Sequence, residues 1–152
     1  MSIVILNKKD KKNNPKCDIV IYCGRGSVLG NEHDFKYQNK FQSVNVESRE
    51  HAIELNKKTL MEYLMDENNF MSKSEKVKDK MNEIFKLNKT KVVGLQCYCK
   101  NYSEEEHIDK GQSCHVEDIK YIIDEMSKSD NFKETLKKIK KEWNIIWKKN
   151  FL

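Results

Sequence analysis

The stretch "DIVIYCGRGSVLGN", residues 18–31, joins a β-branched apolar run to three of the chain's five glycines and one of its two arginines. Asp18–Tyr22 is short, continuous and β-branched, the pattern of a strand buried on both faces. Glycine directly after such a strand serves a positive φ or a close approach by backbone or ligand. Successive N–H groups in such a turn make an anion-binding concavity, and a guanidinium there offers a planar fork to phosphate or carboxylate. Gly24, Arg25, Gly26 and Gly30 are therefore candidate phosphate-binding positions, with Ser27 and Asn31 as neutral hydrogen-bonding partners for a sugar or base edge. The alternative is a tight turn with a bulge, for which two glycines suffice. The dinucleotide fingerprint is absent, because Gly30 stands four residues after Gly26 and no amphipathic helix follows. The Gly-Lys-Ser/Thr ending of a phosphate-binding P-loop is absent too.

Outward from this stretch, Ser2–Leu6 and "KVVGLQCYC" (Lys91–Cys99) read as two further strands, with a short one near Ser43–Val46. Four helices follow from apolar spacing. Ser48 caps a helix from Arg49 to about Met65 whose stripe is Ala52, Ile53, Leu60, Tyr63 and Leu64. Ser72 and Glu75 form a capping box before Val77, Met81, Ile84 and Phe85. A third helix, about Cys114–Ser127, aligns Val116, Ile119, Ile122, Ile123 and Met126. The last, about 131–149, spaces Phe132, Leu136, Ile139, Trp143 and Ile146 alternately four and three apart. That seam packs on its own domain or joins two copies as a homo-oligomer. Strands separated by helices define an α/β class: one domain over 1–152, a sheet of about three to five strands covered by about four helices, Rossmann-like in the loose sense. Residues 66–74 and 100–113 read as the freest loops.

The length suits a single domain with a real core. No apolar run approaches the roughly 18–20 residues that cross a bilayer, and the four-residue apolar stretch "IVIL" is too short for a signal core, so the reading is a cytoplasmic protein with no membrane partner. The net charge of +5 rests on 27 lysines, and Asn occurs 15 times, a bias that A/T-rich codons produce in a phage or low-GC bacterial genome. Acidic residues are interspersed with the lysines, whereas nucleic-acid binding needs a clustered patch. Nucleic acid is accordingly disfavoured as a partner.

The five cysteines are an odd number and point to thiols or a metal site rather than a disulfide framework. Cys97 and Cys99 share one face of a strand, and Cys114 and His115 follow at a helix start. Three thiols and an imidazole make an acceptable zinc set, although the adjacent Cys-His pair departs from the usual knuckle spacing, and no cofactor is favoured. Alternatively Cys114, at the first helical position after Ser113, is a low-pKa nucleophile with His115 and Glu117 as base and orienting acid. Buried free cysteines are otherwise small hydrophobes, the reading for Cys17 and Cys23.

"YCGRGSVLGN", "REHAI" and "VVGLQCYC…CH", in that order from about Asp18 to Ile123, resemble a family of phage and bacterial proteins known as domain of unknown function 4326. That family carries a G-R-x-S-x-x-G-N-P box, an R-E-E-A-I helix start, then L-x-C-W-C and C-H-x-D. The resemblance implies a small α/β domain whose motif residues gather at one site near the strand ends: Gly24, Arg25, Ser27, Gly30, Asn31, Arg49, Glu50, Cys97, Cys99, Cys114 and His115. Glu32 replaces the proline, Tyr98 the tryptophan and Glu117 the aspartate, and residues 100–113 lengthen a usually short loop.

The function these residues suggest is binding of a phosphorylated small molecule, a nucleotide or ADP-ribose-like ligand. Gly24–Asn31 holds the phosphates, Arg49 adds charge and Tyr22 or Tyr98 stacks on a base. A phage-encoded chain of this kind would sequester a host nucleotide immune signal. A nucleotide-processing hydrolase or transferase using Cys114 and His115, and a zinc-stabilised module for nucleic acid or a protein partner, are the alternatives.

Overall fold

Three β-branched runs form the strands β1 (Ile3–Asn7), β2 (Ile19–Tyr22) and β3 (Val93–Cys97). The computed structural model describes residues 3–7, 14–24, 26–30, 49–97 and 115–151. All the strand pairs are parallel and the order is β1-β3-β2, with Ile3 and Ile19 flanking Val93, and Ile5 and Ile21 flanking Leu95. Side chains alternate between faces. The odd-numbered set, with Val93, Leu95 and Cys97 fully buried on the central strand, therefore faces the helices, and the even-numbered set faces away.

The connections explain the order. A right-handed return from β2 to β3 and a right-handed passage from β1 across β3 to β2 run in opposite lateral directions, so they must use opposite faces. The helices α1 (Arg49–Met65) and α2 (Ser74–Asn88) make the return on the core face. The described end of the β1–β2 connection, residues 14–18, lies on the other face, where Cys17 Sγ would stand 2.7 Å from a Cβ placed on Gly94, and Leu6 Cδ1 2.5 Å from it. Gly94 is thus the clearance that lets Cys17 and Leu6 pack against the central strand. Asp18 pins its end: Val92 N–H donates to the Asp18 carboxylate (2.8 Å), and Asp18 N–H donates to the Val92 carbonyl (2.8 Å).

The remaining helices are α3 (His115–Met126) and α4 (Phe132–Phe151). The stripes read from spacing form the core: Ala52, Ile53, Leu60, Leu64, Val77, Met81, Ile84, all five named positions of α3, Leu136 and Ile139 are buried, with Met61 joining them. Each fully buried Val, Leu, Ile or Met among them contributes on the order of 1.5–3 kcal/mol on leaving water. Tyr63, Phe85 and Trp143 are half-buried against this core. Phe132 departs from its predicted stripe: it is the first residue of α4 and 38% exposed.

The capping box predicted at Ser72 does not form. Lys73 occupies the N-cap of α2 with no side-chain cap bond. Asp66 takes over instead, accepting from Phe70 N–H (3.0 Å), Met71 N–H (2.8 Å) and Ser74 Oγ–H (2.7 Å), while Lys78 Nζ donates to its carbonyl. A carboxylate with two oxygens satisfies three donors that a serine cap could not. Residues 66–74, read as a free loop, are tied by this hub. At α4 the Asn131 side chain accepts Glu134 N–H (3.2 Å), an ordinary N-terminal cap. Ser43–Val46, Ser48 and 100–113 lie outside the described residues.

Candidate functional site

Parallel strands bring all their C-terminal ends to one edge of the sheet. There β2 leads into the glycine loop, and each of its glycines has a distinct reason. The Tyr22 ring lies so close over Gly24 that a Cβ would meet it at 2.4–2.5 Å. Gly26 has φ +88° with open space around it, and a Cβ on Gly30 would meet the Gly24 carbonyl oxygen at 2.4 Å. The loop is two consecutive turns: Ser27 N–H and Oγ–H both donate to the Gly24 carbonyl (3.1 and 2.6 Å), and Gly30 N–H donates to the Ser27 carbonyl (3.1 Å). Ser27 therefore spends its hydroxyl proton on the loop itself. The N–H groups of Gly26, Val28 and Leu29 have no hydrogen-bond partner among the described residues.

The start of α3 meets this loop. His115 is 2% exposed, and its Nε2 lies 2.5 Å from the Cys23 carbonyl oxygen, 92 residues away in sequence. A carbonyl only accepts, so Nε2 carries the proton and donates. Cys23 N–H donates to the Gln96 carbonyl (2.7 Å), which extends the β2–β3 register and sets Cys23 beside Cys97. The two motif boxes thus converge: Cys23, Cys97 and His115 are buried together at the strand ends. Burial first, then Cys97, pushes the Cys23 thiol up to about 12, with Lys80 opposing weakly. Such a thiol is packed and unreactive. Among the described residues no group of three His, Cys, Asp or Glu side chains is arranged to hold a metal ion. Arg49 and Glu50 open α1, and Glu117 is half-buried in the first turn of α3. Arg25, Asn31, Tyr98, Cys99 and Cys114 lie outside the described residues.

Spacing and motif missed Asp118, one helical turn beyond His115. It is 9% exposed, its Oδ2 has no hydrogen-bond partner among the described residues, and its Oδ1 lies 3.8 Å from Lys57 Nζ. Lys57 in turn holds Glu54 at 3.0 Å. Burial pushes the Asp118 carboxyl up to about 7; Lys57 and His115 oppose this, while Glu54 and Glu117 add to it. The available signal was an acidic residue within the stripe of Val116, Ile119 and Ile122.

These features define a parallel α/β domain with a glycine loop and a Cys-His helix start joined at the C-terminal edge of its sheet. The chain belongs to the family described as Domain of unknown function (DUF4326), whose model matches residues 6–125. No curated protein and no solved structure matches it.

Proposed function

We propose that the chain binds a phosphorylated small molecule of the nucleotide or ADP-ribose class at the loop of residues 24–31. The observation that carries this reading is the set of backbone donors Gly26, Val28 and Leu29 in two consecutive turns just beyond a parallel strand. Such donors form a concavity for an anion, and the carboxyl ends of parallel strands are where open α/β sheets bind ligands. Arg25 and Arg49 supply the cationic partners. Tyr22, whose ring lies on Gly24, is the stacking surface for a base.

In this reading His115 is a positioning residue. Its Nε2–H holds the Cys23 carbonyl, so the loop leaves β2 in a set direction, and binding rather than group transfer is the function supported best. Isothermal titration with ADP-ribose, NAD, AMP and a cyclic dinucleotide tests the proposal. Saturable binding by at least one, lost in Arg25→Ala, is the predicted result, and no heat from any of the four would refute it.

A further inference from the structure

A groove of about 370 Å³ runs between α1 and α4, and no described residue of the glycine loop lines it. Its apolar walls are Met61 and Met65 from α1 and the half-buried Trp143 from α4. Lys57 also lines it, its ammonium 5.6 Å from the Trp143 ring centroid and held by Glu54 and Asp118. The banks carry Lys58 on α1 and Lys140 on α4, both exposed and neither in an ion pair among the described residues.

Volume and chemistry narrow the occupant. Small-molecule sites occupy about 300–1,000 Å³ and combine an apolar lining with few polar groups. Thioether side chains adapt to a ring edge, and an indole face stacks on a flat partner. The Glu54 carboxylate is already engaged by Lys57, so among the described lining residues Glu62 is left to oppose the two ammonium groups. We infer that the α1–α4 groove is a binding site for a small aromatic monoanion, its ring between Met61, Met65 and Trp143 and its acid group at Lys58 and Lys140.

2-Naphthoate is a suitable probe, with 2-naphthalenemethanol as its neutral counterpart. A ligand of this size binds such a groove with a dissociation constant of about 1 mM. Methyl spectra of Met-labelled full-length protein read the site directly. The Met61 and Met65 methyls shift saturably with naphthoate and shift less with the alcohol. Lys58→Glu combined with Lys140→Glu weakens naphthoate about tenfold, as reversal of two exposed charges implies. Glu62→Lys, a surface change that removes the opposing charge, tightens it about threefold. Unmoved Met61 and Met65 methyls up to about 5 mM naphthoate would overturn the inference. Equal binding of acid and alcohol, or charge variants that bind like the wild type, would overturn it as well.

Discussion

Replacing Asp118 with asparagine should stabilise the protein above neutrality and leave it almost unchanged in acid. The folded state raises this carboxyl from 3.8 to about 7, chiefly because the group is buried. A folded pKa above the unfolded one means the folded chain keeps a proton that the unfolded chain releases. The contribution of Asp118 is then fully present below about pH 4 and is lost as pH rises to 7. Three pKa units at about 1.4 kcal/mol each put the loss near 4 kcal/mol at pH 8. Asp118→Asn avoids that loss but gives up the 3.8 Å contact with Lys57, which keeps Glu54 at 3.0 Å. The folded value of about 7 already includes the attraction of Lys57, so the gain stays at about 4 kcal/mol at pH 8. In a domain of this size that gain raises the melting temperature by about 8–16 °C. Thermal and urea unfolding of both proteins between pH 4 and pH 8 gives the comparison, because the difference curve cancels every other titrating group. A variant less stable than wild type at pH 8, or a difference that does not change with pH, would refute the reasoning.

Other perturbations probe the loop and its supports. His115→Leu leaves the Cys23 carbonyl buried without its donor and should cost about 1–3 kcal/mol, read as a lower melting temperature. Gly30→Ala drives a Cβ into the Gly24 carbonyl oxygen and should cost about 1–3 kcal/mol. Gly26→Ala meets only its positive φ in open space and should cost about 1 kcal/mol, so the order of the two melts is itself a test. Ser74 first, then the Met71 and Phe70 N–H groups, holds the Asp66 carboxyl below its ordinary value against a small opposing effect of burial. Its stabilisation is present above the unfolded pKa and lost as pH falls through the folded one. Asp66→Ala should therefore be less stable than wild type at neutral pH and converge with it in acid.

Local periodicity carried most of the fold. The helix predicted over Arg49–Met65 occupies those residues, and the apolar stripe of α3 is buried throughout, because both patterns repeat within a few turns. Contacts between distant segments were not legible in this way. Nothing near Gly94 announces that Cys17 packs over it, or that β3 stands between β1 and β2. The Ser72 box failed because Asp66, six residues upstream, competes for the same turn with a stronger acceptor. At the site, the glycine loop and His115 were visible as motifs. Their meeting at the Cys23 carbonyl was not, and Cys23 read in isolation gave no sign that it would sit beside Cys97. Asp118 was hidden because a single charge on a helix normally faces solvent.

The central claim is that the backbone of residues 24–31 receives the phosphate of a nucleotide-like ligand. Amide proton and nitrogen shifts of the full-length protein, followed during titration with ADP-ribose and with AMP, test it most directly. The account predicts that the Gly26, Val28 and Leu29 amides move most and saturate together, with helix α2 unmoved. Shifts that bypass these three amides while the ligand binds elsewhere would contradict it.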